Sequence, residues 1–427
     1  GGVEQADRMQ QLPGSVDVAV IGAGLAGLAA ARVTCAAGLH TVVLEAGDDV
    51  GGRVRTDVVD GFRLDRGFQI LLTAYPEVQA QLDLDELALC RFDPGAHVFT
   101  GDGFASVADP LRRPAAVLDT VRAPVGNLAD KLRIARLRFD VTGTPAAALL
   151  RRPDATTADA LVARGFSPAM IERFFRPLFA GIQLDPGLTT TSRMFEVIFR
   201  CLALGDAAVP AAGMAAVPRQ LAAGLPEGVL HCDAAVERVD GTTVQLAAGA
   251  AVHARAVVVA TDGPSAGRLL GLAPVGSKPA TGLWFSADAP PVAHRSLLLD
   301  GSGRGPAANV AVLSNVAPSY APTGRALIAA AVPGRADAEL EPAVRAQLTE
   351  WFGAEVGGWE LLRIDVISHG QPTQPPGSPL KRRVRLGAGR YVCGDHRDTA
   401  SIQGALFSGR RTGESVVADL RRNPASA

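Results

Sequence analysis

The chain has 427 residues, beyond the size at which a single hydrophobic core stops growing, so two domains are expected. An apolar content of 48% with 20% charged residues is typical of a globular protein and excludes a disordered one. A net charge of -1 leaves no basic footprint for nucleic acid, and no run of about 18 apolar residues predicts a membrane-spanning helix.

Five cysteines are scattered along the chain, and none of them forms a Cys-x-x-Cys pair. This pattern predicts neither a disulfide framework nor a metal site, and it fits a reducing compartment. The start of the chain lacks the charged-then-apolar pattern of a secretory signal. We therefore expect a cytoplasmic protein without a bound metal ion.

The first recognisable unit occupies residues 16–45. Residues 16–21 form an apolar strand pattern, residues 22–27 read Gly-x-Gly-x-x-Gly, and residues 28–37 form a helix pattern. A second strand pattern over residues 41–45 ends in an acidic residue. This order predicts a dinucleotide site, and the alternative is a Gly-rich turn in an unrelated α/β protein.

Each residue type in this unit has a mechanical role. Gly22 allows the tight turn, Gly24 lets a pyrophosphate approach the backbone, and Gly27 lets helix and strand pack closely. The N-terminus of the helix offers free N–H groups and a partial positive charge to the phosphates. Glu45 is placed to accept hydrogen bonds from a ribose diol.

A second glycine-containing segment follows directly. Gly51 and Gly52 let the backbone run close to a ligand, and Arg53 and Arg55 are cations near the expected phosphates. Residues 61–70 form a short strand that runs into another Gly-containing turn. The predicted site therefore extends beyond the first unit.

Short strands and a long helical region come next. Strands are expected over residues 90–92, 96–100 and 104–106, and residues 111–208 are mostly helical in pattern. Residues 128–138 place leucines on one side of a helix and basic residues on the other. Such a helix can lie on a membrane surface or cap an access channel, and the alternative is a solvated basic face over a core stripe.

The remaining chain returns to an α/β pattern. Residues 256–260 are apolar and rich in valine, as expected of a buried parallel strand. Residues 279–370 alternate short strands with turns around one helix at 341–352, which predicts an antiparallel sheet in a second domain. A strand over residues 390–395 and a helix over 402–420 end the pattern.

These segments divide the chain into two domains of an α/β fold. A Rossmann-type, dinucleotide-binding domain with a parallel sheet is predicted to be discontinuous, and a substrate-binding domain of antiparallel sheet plus helices is inserted into it. The predicted boundaries are 15–75, 209–265 and 385–422 for the first domain, and 76–208 and 266–384 for the second, with its helical part at about 111–208.

Later segments bear on whether the dinucleotide carries nicotinamide or flavin. Val236, with the strand that ends at Ala260, supplies backbone to an adenine. In the tail, Asp395 can hold a ribityl hydroxyl or a pyrophosphate-bound water. A helix that begins near residues 401–403 can point N–H groups at the N1–C2=O edge of a flavin, where its dipole stabilises the anion formed on reduction.

Together these motifs resemble the flavin amine oxidase and phytoene desaturase superfamily, which is similar in turn to protoporphyrinogen oxidase. The motifs span the chain and comprise residues 22–27, 45, 51–56, 65–69, 210–214 and 394–405. The resemblance implies a Rossmann-type FAD-binding domain and non-covalent FAD. Covalent attachment of the amine oxidase type needs a cysteine in the tail loop, and Cys393 lies in the strand before that loop.

By this resemblance, FAD lies extended along the predicted motifs. Adenine lies at Val236, ribose at Glu45, and pyrophosphate at residues 24–27 and Asp395. The isoalloxazine lies between residues 52–69 and 401–405. The predicted cofactor-binding residues are Gly22, Gly24, Leu25, Ala26, Gly27, Glu45, Ala46, Gly51, Gly52, Arg53, Arg55, Gly67, Phe68, Gln69, Val236, Ala260, Gly394, Asp395, Ser401, Ile402, Gln403 and Ala405.

The chain departs from the amine oxidases where the substrate is decided. Those enzymes tend to carry two aromatic residues at the flavin face, and the corresponding place near Ser401 has none. An apolar pocket is expected instead from Phe179, Ile182, Met214 and Trp284. The alternative for the aromatic residues is ordinary core packing.

Three residues are candidates for catalysis. Lys278 precedes a strand of the second domain, close to where amine oxidases place a lysine near flavin N5, and the alternative is a surface lysine. Arg66 and Gln69 lie in the glycine turn, where they either bind a substrate carbonyl or carboxylate or hold the loop. A fourth residue, His396, is either a proton acceptor or a solvent-facing histidine.

The resulting prediction is an FAD-dependent oxidoreductase or desaturase. It would remove a hydride from a largely apolar small molecule, form a C=C or C=N bond, and pass the electrons to oxygen or a quinone. Three alternatives remain open: a flavin-dependent isomerase without net redox change, an amine oxidase, and a non-catalytic flavoprotein. Peripheral membrane contact through residues 128–138 is a further expectation.

Overall fold

The computed structural model describes residues 12–108, 112 and 117–422. Its first layer is a sheet of parallel strands in the order Leu230–His231, Thr41–Leu44, Ser15–Ile21, Ala251–Val259 and Arg390–Val392. Arg385–Gly387 and the hairpin Val236–Asp240 and Thr243–Leu246 pair antiparallel at its side. The predicted α/β class is confirmed, and residues 256–259 are buried because helices and loops cover both faces of the sheet.

Two helices pack side by side on this parallel sheet. The first helix is Leu25–Ala36 and the tail helix is Ile402–Arg422. A Cβ added at Gly409 of the tail helix would lie 2.1 Å from the carbonyl oxygen of Ala26, so the helices touch through their backbones. Each helix follows the carboxyl end of a parallel strand, which places both helix N-termini at the same edge of the sheet.

The second layer is a seven-stranded sheet. Its order is Glu360–Pro372, Ser277–Ala287, Ala326–Pro333, Asn309–Val312, Leu297–Asp300, Ala96–Phe99 and Phe104–Val107. All neighbours are antiparallel except Leu297–Asp300 and Ala96–Phe99, which run parallel, so the sheet is mixed rather than wholly antiparallel. One row across it joins Gly282, Ala331 and Asn309 on three adjacent strands.

The strands outside the two large sheets form small pairings. Thr56–Val59 and Phe62–Asp65 form a hairpin. Ala207–Pro210 pairs with Leu71–Leu72 and Leu89–Arg91 in a three-stranded sheet. These pairings join the region after the first unit to the end of the helical region.

Most of the region predicted as helical is helical. Its helices are Val117–Arg122, Leu128–Gly143, Ala146–Leu149, Thr157–Ala163, Pro168–Met170, Arg176–Gln183 and Ser192–Leu204, with a π-helical turn at Ile171–Phe175. Residues 111 and 113–116 of the prediction lie outside the described residues. The other α-helices are Pro76–Gln81, Ala216–Ala223, Gly263–Leu270, Leu313–Val316 and Glu341–Phe352, and short 3-10 turns lie at Pro318–Tyr320, Ala338–Leu340, Ala354–Gly358 and Asp395–Arg397.

The basic helix, Leu128–Gly143, does not separate leucines from basic residues as predicted. Leu137 lies in the core, whereas Leu128 and Leu132 are 62% and 66% exposed and Phe139 is 77% exposed. Spacings of four and seven residues put these three exposed side chains on one face of the helix. Among the described residues, no helix is both long enough and apolar enough to span a bilayer.

Candidate active site

A cavity of about 970 Å³ lies between the two sheets. One wall is the carboxyl edge of the parallel sheet, with Gly22, Glu45 and Ala260 at the strand ends. The facing wall belongs to the second sheet and to the helix Arg176–Gln183, here called the lining helix. A crevice at the carboxyl ends of parallel strands is where α/β folds bind ligands.

The Gly-rich turn is built for close approach to the backbone. Gly22 adopts φ +101°, a conformation that side chains disfavour, and its N–H donates to the carbonyl oxygen of Leu44 at 2.8 Å. A Cβ on Gly27 would lie 1.9 Å from the Gly22 oxygen, so helix and strand pack directly. A Cβ on Gly24 would meet nothing within 4 Å, which leaves open space above the uncapped start of the first helix.

The Gly51–Gly52 loop closes against this turn. Gly51 N–H donates to the carbonyl oxygen of Ala23 at 2.9 Å, and the two glycines adopt φ +118° and φ +59°. A Cβ on Gly51 would lie 2.3 Å from the Val54 oxygen. The loop therefore needs both glycines to bring its backbone over the start of the first helix.

Glu45 is fixed by backbone donors. Its Oε2 accepts from the Ala23 N–H at 2.7 Å, and its Oε1 accepts from the Gly47 N–H at 2.8 Å. Each carboxylate oxygen keeps a further lone pair, and the residue lines the cavity. The carboxylate is thus positioned to accept hydrogen bonds from a ribose diol, beside Val236 on the same wall.

An ion pair lines the cavity. Arg53 donates to Asp395 Oδ1 at 2.7 Å and to the Gly370 carbonyl oxygen at 2.8 Å, so it joins the tail to the second sheet. Burial alone would raise the pKa of Asp395, but the Arg53 guanidinium holds that pKa below its ordinary value. Asp395 therefore stays ionised next to the turn that would carry the pyrophosphate.

The tail helix begins at the cavity. Gly404 N–H donates to Ser401 Oγ at 3.1 Å, and a Cβ on Gly404 would lie 1.8 Å from the Thr399 oxygen. Ser401, Ile402 and Ala405 line the cavity around this first turn. The partial positive charge of the helix N-terminus therefore points into the cavity.

The loop that carries Arg66 and Gln69 is held in place by hydrogen bonds. Gly67 N–H donates to Asp365 Oδ2 at 3.0 Å, and Gln69 Nε2 donates to the Arg53 carbonyl oxygen at 2.8 Å. Arg66 forms two hydrogen bonds of 3.0 Å with Asp57. Both predicted catalytic residues line the cavity, and the hydrogen bonds of both also hold the loop.

A buried carboxyl group anchors the start of the same loop. Asp65 Oδ1 accepts from Thr56 Oγ1 at 2.5 Å and from the Met214 N–H at 2.9 Å, while Oδ2 accepts from the Tyr320 hydroxyl at 2.9 Å. Burial raises the pKa of Asp65 to about 6. This carboxyl joins three separate chain segments immediately before the glycine turn.

Most of the predicted cofactor residues line the cavity. They are Gly22, Gly24, Leu25, Ala26, Glu45, Ala46, Gly51, Gly52, Arg53, Gly67, Phe68, Gln69, Val236, Ala260, Gly394, Asp395, Ser401, Ile402 and Ala405. Three predicted residues do not line it. Gly27 packs the helix on the strand, Arg55 pairs with Asp48 at 2.8 Å, and Gln403 Oε1 accepts from the Glu77 N–H at 2.8 Å.

The expectation that Lys278 faces the reacting centre is wrong. Its Nζ donates to the Gln183 carbonyl oxygen at 3.0 Å and to Thr190 Oγ1 at 2.6 Å, outside the cavity lining. Burial lowers the pKa of Lys278 to about 8. Surface exposure, the alternative, is equally wrong because the residue is 8% exposed.

The predicted substrate pocket is corrected in three of its four residues. Ile182 lines the cavity, but Phe179, Met214 and Trp284 do not. All three are fully buried in the core. Phe179 packs in a cluster of phenylalanines, and Trp284 Nε1 donates to Asp365 Oδ2 at 2.8 Å behind the loop. Phe179 and Trp284 therefore serve in core packing, which was the alternative expected for the aromatic residues.

His396 does not face solvent. It is 3% exposed, and burial lowers its pKa to about 4, so the ring is neutral at physiological pH. It lies against Gly394, where a Cβ would meet the ring at 2.6 Å. His396 is not part of the cavity lining.

Several lining residues have no counterpart in the sequence prediction. They include Tyr75, Thr281, Asn309, Gln371 and Arg268. Each is a single polar residue within an ordinary strand, helix or loop pattern, so no spacing marks it. The sheet register and the position of the lining helix bring them to the cavity.

The residues present fit a bound dinucleotide. The open space above Gly24 lies beside an uncapped helix start, and Glu45 and Asp395 line the same cavity. Backbone N–H groups and the helix dipole suit phosphates, and the carboxylates suit sugar hydroxyls. The cavity continues past the tail helix to the second sheet, where a ring system and a substrate can be accommodated.

Comparison with known proteins identifies the family. Residues 25–417 match the flavin-containing amine oxidoreductases. The phytoene dehydrogenase of Streptomyces griseus is 30% identical over 300 residues, covering 62% of this chain and 58% of that protein. The putrescine oxidase of Kocuria rosea is 37% identical over 126 residues, covering 26% of each chain. Both matches span less than two thirds of the relative's length.

The fold has counterparts among solved structures. An oxidoreductase from Methanosarcina mazei superposes with a TM-score of 0.72 at 19% identity, covering 93% of this chain and all of that one. The family match over residues 25–417 and the similarity to the phytoene dehydrogenase confirm the resemblance expected from the motifs. A dinucleotide site in a flavin-containing family is a site for FAD, and the chain belongs to the flavin-containing amine oxidoreductases.

Proposed function

We propose that the protein removes a hydride from a largely apolar small molecule and passes the electrons to oxygen or a quinone. Bound FAD supplies the two-electron acceptor for this chemistry. The observation that carries the proposal is the apolar composition of the cavity wall opposite the tail helix. Its lining residues from the second sheet and the lining helix include Gly181, Ile182, Ala280, Leu297 and Ala331.

No residue that these two elements contribute to the described lining is charged. The charged lining residues come from other segments, and they are Glu45, Arg53, Arg66, Glu237, Asp262, Arg268 and Asp395. An ammonium group buried on the apolar side would lack a carboxylate partner, and an unpaired buried charge is costly. Formation of a C=C bond is therefore favoured over oxidation of an amine to C=N.

Formation of a C=C bond also releases a proton from the carbon next to the one that loses the hydride. This proton would pass to solvent, because no described residue of the apolar wall is a charged base, and the chain's own residues act by positioning the substrate. Arg66 and Gln69 belong to a braced loop, and Lys278 is engaged elsewhere. The aliphatic wall orients the substrate toward the cofactor side of the cavity, and this positioning lowers the barrier to hydride transfer. We keep Arg66 and Gln69 as candidates to hold a substrate oxygen.

The division into an FAD-binding and a substrate-binding domain is part of the proposal. The parallel sheet draws strands from residues 15–75, 209–265 and 385–422, and the seven-stranded sheet draws all its strands from residues 76–208 and 266–384. This agreement supports the proposed boundaries. The relatives named phytoene dehydrogenase and putrescine oxidase support a desaturase and an amine oxidase respectively.

An anaerobic screen separates the alternatives. The FAD-loaded protein is mixed with polyenes, ketones and amines, and the visible flavin band is followed. We expect polyenes or other apolar compounds to bleach it. Bleaching by amines alone would favour an amine oxidase. A rearranged substrate without flavin bleaching would favour an isomerase. No response from any class of compound would favour a non-catalytic flavoprotein.

We further propose a cytoplasmic protein that contacts a membrane surface through the basic helix. Leu128, Leu132 and Phe139 form an exposed apolar face, and Arg136 on the same helix is exposed. Such a face can enter the headgroup region while cations meet anionic lipids.

Sedimentation with anionic vesicles at low salt tests this contact. Leu132→Glu should abolish co-sedimentation. Val58→Glu, a change of a similarly exposed residue on the separate strand Thr56–Val59, should leave co-sedimentation unchanged. Failure of the unaltered protein to sediment would remove the membrane proposal.

A further inference from the structure

Leu184 has a backbone conformation that leucine disfavours. It is the C-terminal cap of the lining helix and adopts φ +50° and ψ +39°, in the left-handed region. Glycine is the usual residue at such a helix end, because the Cβ of any other L-residue crowds the backbone there. Strain of this kind is concentrated at binding and catalytic sites, so the position calls for an explanation of the side chain.

The other left-handed residues have simpler explanations. In the described part of the chain, the non-glycine residues with positive φ besides Leu184 are Asp60, Ala88, Leu188, Asp233 and Ala388. Aspartate tolerates this region, and the two alanines are small and exposed. Leu188 is fully buried in the largest hydrophobic cluster, where burial of its side chain offsets the backbone cost.

The side chain of Leu184 belongs to the cavity rather than to the core. It is half-buried, it lines the cavity, and it is part of none of the three hydrophobic clusters found among the described residues. Its neighbour Ile182, by contrast, packs against the largest cluster. Core packing therefore accounts for Leu188 but leaves Leu184 unexplained.

Leu184 lies next to a contact that joins the second sheet to the cofactor side. A Cβ on Gly370 would lie 2.3 Å from Leu184 Cδ1, and the Gly370 carbonyl oxygen accepts from Arg53 at 2.8 Å. Ile367 Cγ2 would lie 3.7 Å from the same Cβ, and Ile367 Cδ1 would lie 2.6 Å from a Cβ on Gly67. Ile367 is also half-buried, lines the cavity and belongs to none of the three clusters. The two side chains form an apolar pair beside Gly370.

We infer that Leu184 is a specificity-determining residue whose side chain, together with Ile367, contacts the apolar substrate beside the Arg53–Gly370 hydrogen bond. The inference rests on the proposed function. Contact with an apolar substrate removes the accessible surface of both side chains from water, which favours binding. Such a contact explains why a leucine occupies a position that suits glycine and why that leucine stands outside the core.

Two substitutions at Leu184 separate the side chain from the backbone. Leu184→Ala and Leu184→Gly both remove the apolar surface, but only glycine relieves the left-handed conformation. Equilibrium dialysis of the FAD-loaded protein against naphthalene, an apolar probe without hydrogen-bonding groups, measures the affinity. We expect both variants to bind naphthalene about tenfold more weakly than the unaltered protein. The glycine variant should unfold about 1–3 °C above the alanine variant.

Ala388→Gly is the matched control. Ala388 is exposed, adopts φ +49° and is not part of the cavity lining. This change relieves the same backbone conformation, so it should raise the unfolding temperature by a similar amount and leave the affinity for naphthalene unchanged. A loss of affinity as large as that of Leu184→Gly would overturn the inference, because the backbone rather than the leucine side chain would then be the cause.

The remaining outcomes are distinct. Equal affinity of the unaltered protein and both Leu184 variants overturns the role of Leu184 and leaves the apolar-substrate proposal standing. No binding of naphthalene by the unaltered protein overturns both, because the wall would then not hold an apolar compound. Equal unfolding temperatures of the two variants overturn the argument from strain. Weaker binding by both variants, with the higher unfolding temperature for glycine, supports the inference.

Discussion

Replacement of Lys278 by methionine separates a structural role from a catalytic one. In the structure its Nζ joins the Gln183 carbonyl oxygen to Thr190 Oγ1, outside the cavity lining. Hydrogen bonds to charged groups contribute about 1.5–3 kcal/mol each. Methionine loses these hydrogen bonds but also removes the free-energy cost of burying a cation, which offsets part of the loss. We therefore expect a net destabilisation of roughly 2 kcal/mol.

The pH dependence gives a sharper test. The pKa of Lys278 is lowered by burial from 10.5 to about 8, so between those values the unfolded chain binds more protons than the folded one. The stability of the unaltered protein therefore gains a contribution as pH rises through this window. The contribution is roughly 1 kcal/mol between about pH 8.5 and 9.5, and Lys278→Met should lack it.

Urea unfolding across this range provides the measurement, with Lys381→Met as the control. Lys381 lies over the Phe407 ring at 5.3 Å and has no part in the Lys278 contacts. The rate of flavin reduction should change less than threefold in Lys278→Met, since positioning is unaffected. A loss of about a hundredfold in that rate, with normal folding and FAD content, would show instead that Lys278 takes part in catalysis.

Three other predictions concern the cofactor site and its supports. Glu45→Gln should weaken FAD binding by about tenfold, because the amide has one acceptor oxygen where the carboxylate has two. Fluorescence of released FAD measures the affinity, and an unchanged affinity would remove Glu45 from the ribose site. Gly409→Leu should cost about 1–3 kcal/mol of unfolding free energy by pushing against Ala26, whereas Gly143→Ala, where an added Cβ meets nothing, should cost little. The pKa of Asp65 is about 6 in the folded protein, against an ordinary value of 3.8. The folded protein therefore binds more protons than the unfolded chain between about pH 4 and 6, and its stability falls as pH rises through this range. Asp65→Asn should lack that fall in thermal unfolding scans, and an unchanged slope would contradict the assignment.

The nucleotide half of the site could be predicted because its requirements are local. Gly22 and Gly24 act within a turn of a few residues, and Glu45 bonds to the Ala23 N–H that the same unit supplies. The strand, turn and helix pattern fixes all of these at once. The tail could be predicted for the same reason, since Asp395 and Ser401 flank one short loop.

The substrate half could not be predicted because it depends on long-range geometry. The register of the strand that carries Lys278 shifts between Lys278 and Ala280, and a bulge of this kind re-aims a side chain without a mark in the sequence. Ala280 lines the cavity in its place. Trp284 lies on the same face of the strand as Gly282, but beyond the braced loop. Asn309 reaches the cavity through sheet order alone.

The most direct test of the central claim follows both reactants at once. The FAD-loaded protein is incubated anaerobically with an apolar polyene in excess of flavin, and substrate mass is measured alongside the visible flavin band. We expect the polyene to lose a pair of hydrogens in proportion to the flavin bleached. Bleaching by amines with no change in any polyene, or a rearranged polyene of unchanged mass, would contradict it.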